Sequence, residues 1–111
     1  MVLAERGLAD IVCFHCQQSA EKYLKGLLTL LGVSFPKTHD LRILLELARK
    51  HATLQTPAAK VLPLNRYAIE GRYPGEWDPI DKREADQAIQ LAHGLRNDIR
   101  RIMPEGVLKE K

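Results

Sequence analysis

Between Asp10 and Gly32, apolar side chains recur every three or four residues: Cys13, Cys16, Ala20, Tyr23 or Leu24, Leu27, and Leu30 or Leu31. That period is the period of one helical face, so the spacing predicts a helix over 10–31 with its core stripe on that side. His15, Gln18, Lys22, Lys25 and Thr29 form the opposite, polar stripe. Gly32 reaches left-handed dihedrals at little cost and is the expected C-terminal stop. Asp10 is a candidate cap for the start. Residues 1–9, with Leu3, Ala4 and Leu8, are expected to form only a short, frayed turn.

The helical reading continues downstream. Residues 33–38 are a loop, because Pro36 excludes helix locally. Thr38 or Asp40 can cap the next helix, whose stripe is Leu41, Leu44, Leu45 and Ala48, ending near His51. Thr56-Pro57 opens a third helix. Pro63 is expected to break or kink it, with a second piece over 64–70 and Gly71 as its stop. Residues 72–79 are rich in turn formers, including Tyr73, Pro74, Gly75, Trp77 and Pro79. Asp81, Lys82, Arg83 and Glu84 then resemble a capping box with Asp at the cap. Ala85, Ala88, Ile89, Ala92, Leu95, Ile99 and Ile102 give the last helix its apolar face. So many alanines imply a close helix approach or a partner helix. Pro104-Glu105-Gly106 ends the helix, and residues 104–111 are expected to be a loose tail. With no repeat and no alternating strand pattern, the chain reads as all-α: an up-and-down antiparallel bundle of four to five helices, forming one domain over 1–111.

Composition narrows the functional classes. A chain of 111 residues can bury one core. Aromatic residues make up only 5%, so Leu, Ile, Val and Ala must fill that core. The net charge of +3 permits an anionic partner such as a nucleotide or RNA without demanding one. No DNA-binding motif is present, and no apolar run approaches the roughly 18 residues of a membrane span. Cys13 and Cys16 share one helix, where the backbone holds their side chains apart, so no disulfide is expected. Two thiols without a secretory signal suggest the cytoplasm. Cys13-Phe14-His15-Cys16 superficially resembles a metal knuckle, but zinc needs four ligands and no second pair has matching spacing. The cysteines therefore read as buried structural residues, and no metal or cofactor is expected.

The run Phe14-His15-Cys16-Gln17-Gln18-Ser19-Ala20-Glu21-Lys22-Tyr23-Leu24-Lys25 is followed by Pro36-Lys37-Thr38-His39-Asp40-Leu41, then by Tyr67 and Arg72-Tyr73-Pro74. In this order and spacing the motifs resemble the HEPN family (higher eukaryotes and prokaryotes nucleotide-binding domain), of the prokaryotic type. The resemblance spans most of 10–75, and the helix after Asp81 fits the expected last helix. It implies a helical bundle that usually forms a homodimer. Members are often encoded beside a minimal nucleotidyltransferase, with which they act as a two-component, sometimes toxin–antitoxin, system. Some members are metal-independent ribonucleases that use Arg-x(4–6)-His, with two copies meeting across a dimer.

The chain departs from this pattern in two places. The family's first helix is normally longer, so the first helix here reads as shortened by truncation, or as missing from the bundle. A missing helix would expose an apolar groove and favour association. The nuclease motif is also absent. The positions five to seven residues before His15, His39, His51 and His93 hold no Arg: they are Asp10, Ala9 and Leu8; Ser34, Val33 and Gly32; Glu46, Leu45 and Leu44; and Ala88, Gln87 and Asp86. Ribonuclease activity by that route is not expected.

The remaining candidates each carry two readings. Glu21 can pair locally with Lys25 or reach Arg72 or His39 across the bundle, as a bridge between helices or as a ligand contact. His39 and Asp40 lie at a helix start, where backbone N–H groups favour an anion; equally, Thr38 or Asp40 caps the helix while His39 bonds a neighbour. Arg66, Tyr67, Arg72, Tyr73 and Trp77 can contact phosphates and stack bases, or simply pin a loop. Candidate ligand-binding residues are thus Glu21, Lys22, His39, Arg72 and Tyr73, with His39 and Asp40 as weak catalytic candidates. Three functions follow: a module binding a nucleotide, an RNA or a nucleotidyltransferase partner; a divergent metal-independent ribonuclease using His39, Asp40 or Arg72; or a purely structural oligomerisation module.

Overall fold

A computed structural model of the chain describes residues 2–67 and 81–102, with side chains described from Leu8 onward except at residue 58. Within them are four helices and no strand: α1 Val2–Leu30, α2 Leu41–Arg49, α3 Ala58–Asn65 and α4 Lys82–Ile102. The chain is an all-α helical bundle.

Helix α1 starts well before the expected position. Residues 2–9 belong to it, so they are not a frayed turn, and Asp10 lies inside the helix and does not cap it. Ala, Leu, Glu and Arg dominate this stretch and are strong helix formers. Extending an existing helix is also far cheaper than nucleating a new one. The core stripe is Cys13, Cys16, Ala20, Leu24, Leu27 and Leu28, all buried, whereas Leu30 and Leu31 are exposed. The helix stops at Gly32, whose φ is +72°. The Gly32 N–H donates to the Thr29 carbonyl (3.0 Å) and the Val33 N–H to the Leu28 carbonyl (2.9 Å). This is the Schellman pattern that satisfies otherwise orphaned carbonyls.

Of the two expected caps, Asp40 is the one that α2 uses. The Asp40 carboxylate accepts from the Arg42 N–H at 2.9 Å, and the Asp40 N–H donates to the Thr38 hydroxyl at 3.0 Å. Helix α3 begins after Pro57 and passes through Pro63 without the predicted break. Pro63 removes one helical N–H, and the helix ends two residues later, so little pairing is lost. Residues 66–67 form a turn; the rest of the predicted second piece, and Gly71, lie outside the described residues. So does the predicted end of α4 at Pro104.

At α4 the Asp81 carboxylate accepts from the Glu84 N–H at 2.8 Å. The reciprocal half of the capping box is not used, because the Glu84 carboxylate turns to Arg66 and Tyr67. The buried stripe of α4 is Ala85, Ala88, Ala92, Leu95, Asp98 and Ile99, while Ile89 is exposed. The small alanines let α4 lie closely along α1, with which it packs most extensively. They are thus largely taken up by the packing of α4 on α1 inside the chain.

Side-chain links give the helix directions. Tyr67, after α3, bonds Glu84 near the start of α4, while Thr56, before α3, bonds Asp98 near the end of α4. Asn65, at the end of α3, bonds Asp40 at the start of α2. Helices α2, α3 and α4 therefore alternate in direction. The loop 31–40 returns along α1, because His39 lies beside Gln17 and Glu21 rather than near Leu30. Nine extended residues span up to roughly 30 Å, enough to cover the roughly 20 Å of helix from Leu30 back to Gln17. In consequence α1 and α4 run in the same sense, with Tyr23 of α1 receiving a hydrogen bond from Arg96 of α4.

Candidate functional site

The densest polar cluster lies where loop 31–40 crosses α1. Gln17 and Glu21, one helical turn apart, are both buried on the side of α1 that faces this loop. The Gln17 amide donates to Glu21 Oε1 and to the His39 carbonyl, each at 3.2 Å. Gln18 donates to Gln17 Oε1 at 2.6 Å. Lys25 Nζ donates to Glu21 Oε2 at 3.0 Å. His39 Nδ1 lies 3.0 Å from each carboxylate oxygen of Glu21. Two of the three expected partners, Lys25 and His39, are thus engaged together, and the third, Arg72, lies outside the described residues.

Electrostatics follow from this packing. Burial by itself would push the Glu21 carboxyl up, but hydrogen bonds from Lys25, His39 and Gln17 and the Lys25 charge outweigh it. The carboxyl is held below the usual carboxylate range. An ionised carboxylate only accepts, so His39 Nδ1 must carry the proton. The carboxylate thereby fixes both the tautomer and the orientation of the imidazole. The His39 side chain is 45% exposed at the bundle surface.

The other candidates are placed differently. Asp40 Oδ1 accepts from the Arg42 N–H and from Asn65 Nδ2 (2.8 Å), and the Asn65 side-chain oxygen accepts from the Leu41 N–H at 2.8 Å. Asp40 is therefore a cap and a clamp between α2 and α3. Lys22 is exposed on a different face of α1 from Glu21 and does not join the cluster. Arg72, Tyr73 and Trp77 lie outside the described residues. Arg66 and Tyr67 pin the end of α3 to α4: Arg66 pairs with Glu84 at 2.9 Å, and its guanidinium stacks 5.5 Å from the Tyr67 ring centre. The Tyr67 hydroxyl donates to Glu84. Burial and that hydrogen bond raise the phenol far above its ordinary range. Cys13 and Cys16 are buried free thiols, each pushed up by burial. Among the described residues, no group of three or more His, Cys, Asp or Glu side chains could hold a metal ion.

A second buried carboxylate went unread in the sequence. Asp98 is only 4% exposed and lies within the apolar stripe of α4. Its Oδ2 accepts from the Gln55 and Thr56 N–H groups, each at 2.8 Å, and from the Thr56 hydroxyl at 2.7 Å. Arg101 pairs with the other oxygen. Burial opposes ionisation here, but the Thr56, Gln55 and Arg101 bonds hold the carboxyl below its usual range. The signal was an acid between Leu95 and Ile99 on an otherwise apolar face, since buried carboxylates persist only when paired.

Neither a curated protein nor a solved structure matches the chain. The family model described as HEPN domain matches residues 1–102. With that match over nearly the whole chain, the chain belongs to the HEPN domain family.

Proposed function

We propose that this HEPN domain is a non-catalytic binding module, whose partner is a nucleotide, an RNA or a minimal nucleotidyltransferase. In this reading it works as a cytoplasmic homodimer of single-domain chains, within a two-component, toxin–antitoxin-like pair. The observation that carries the reading is the occupancy of the two candidate carboxylates. Glu21 is held by Gln17, Lys25 and His39, and Asp40 by Arg42 and Asn65. A general base must be within reach of the proton it takes, and both acids are committed to protein donors. The absence of Arg five to seven residues before any His supports the same conclusion. Calorimetric titration with mononucleotides, short RNAs and a co-encoded nucleotidyltransferase tests the proposal. Saturable binding to one of them is the expected result, and binding to none would sink it.

One observation favours a second reading, that of a divergent metal-independent ribonuclease. A half-exposed imidazole oriented by a buried carboxylate is the arrangement that prepares a histidine for proton transfer. An RNA cleavage assay separates the two readings. Cleavage that disappears in His39→Ala would establish the second; no cleavage by the wild type discards it.

A further inference from the structure

On the outer side of the α1–α4 seam lies an open groove of about 340 Å³, away from the Glu21 cluster. Val12, Cys16, Ile89 and Ala92 form its floor, and His15, Ser19, His93 and Arg96 stand around it. Large aliphatic side chains extend the apolar end. Leu8 is 63% exposed, Ile11 55% and Ile89 43%, all on the helix faces that border the groove. Such a strip is costly to leave in water.

The other end is cationic. Arg96 Nε donates to the Tyr23 hydroxyl at 3.1 Å, and its NH1 lies 3.3 Å from His93 Nε2. Among the described residues no carboxylate pairs with this half-buried guanidinium. One turn further along α4 stands Arg100, and one turn beyond Ser19 on α1 stands Lys22. Because α1 and α4 run in the same sense, these cations gather at one end. At the opposite end, Lys82 and Asp86 share the α4 stripe and offset one another.

We infer that the α1–α4 groove docks an amphipathic helix of a protein partner, with aliphatic residues along one face and carboxylates that reach Arg96, Arg100 and Lys22. The inference rests on the reading of the domain as a binding module and names the chemistry of a partner. Three observations select the occupant. On α1 the strip runs from Leu8 to Cys16, just over two helical turns, the length that an i, i+3, i+7 helix face covers. A nucleic acid would leave Leu8, Ile11 and Ile89 without apolar contacts, since its interfaces are predominantly polar. A second copy would bring, among the described residues of this strip, only Asp86 as a carboxylate, already offset by Lys82, against three cations.

The test uses the intact protein and two synthetic helical peptides. One carries Leu along one face with Glu at its flanks; the other has Lys in place of every Glu. The acidic peptide is expected to bind, to shift amide resonances of α1 and α4, and to bind at least tenfold more weakly to Ile89→Glu and to Arg100→Glu. Both substitutions are at the surface and leave the Arg96–Tyr23 bond in place. Failure of the acidic peptide to bind, equal binding of both peptides, or indifference to both variants would overturn the inference. So would a single-stranded oligonucleotide that binds with the same dependence on Ile89 and Arg100, or self-association of the protein that Ile89→Glu abolishes. Titration with mononucleotides and RNA separately decides the wider reading, so the two can fail independently.

Discussion

His39 Nδ1 is 3.0 Å from both oxygens of Glu21, so a single proton on the imidazole serves the whole carboxylate. This bond joins loop 31–40 to α1 and fixes where α2 begins. An amide in its place leaves one acceptor oxygen for three donors, Gln17, Lys25 and His39, and sets an NH2 group against them. Glu21→Gln is expected to lower stability by about 2 kcal/mol, the range for a hydrogen-bonded charged group. Urea denaturation measures it, and a change below about 0.5 kcal/mol would contradict the bridge.

The same carboxylates set the response to acid. Glu21 and Asp98 ionise in the folded state below their ordinary values of 4.5 and 3.8. A depressed folded value means that the unfolded chain binds more protons in this window, so stability rises with pH there. Their contribution is complete above the ordinary values and is lost as pH falls through the folded ones. A thermal-melting series should therefore show a steep loss of stability on the acid side of pH 4.5. The slope should flatten in Glu21→Gln and again in Asp98→Asn.

Asp98→Asn is expected to be among the most damaging polar substitutions. Three donors from Gln55 and Thr56 converge on one oxygen of Asp98. An amide nitrogen rotated into that place would confront donors with donors. The expected cost is about 2–3 kcal/mol, from buried groups left unsatisfied. Equilibrium unfolding of the variant checks it, and amide exchange should also quicken at Gln55 and Thr56.

Gly32 isolates a pure backbone effect. A Cβ added there would meet nothing within 4 Å, yet φ is +72°. Gly32→Ala should therefore cost about 1 kcal/mol through left-handed strain alone. Gly32→Asn should recover part of that, since Asn tolerates the left-handed region. Comparing the two unfolding midpoints is sufficient.

Cys13 and Cys16 should be poor nucleophiles in the folded chain, because both are buried and both thiols are pushed up. Only the thiolate reacts. Modification by a thiol reagent at neutral pH is expected to be slow in the native protein and fast in denaturant. Rapid native labelling would place at least one of them outside the core.

The sequence by itself determined the features that act over a few residues. The three- and four-residue spacing gave α1 its buried stripe, Gly32 its Schellman stop, Asp40 its cap and the chain its helical class. These depend on helical periodicity and on local hydrogen bonds, both of which are written in neighbouring positions. Tertiary structure decided which of several local options prevailed. Glu84 could have completed a capping box with Asp81 but was drawn to Arg66 and Tyr67 when α3 met α4. Asp98 reads locally as an interruption of the α4 stripe, and becomes its anchor only because the loop before α3 delivers Gln55 and Thr56, more than forty residues away. The return of loop 31–40 along α1 likewise decided that Glu21 meets His39. Chain directions and long-range donors come from packing whole helices against one another, and no window of local sequence encodes them.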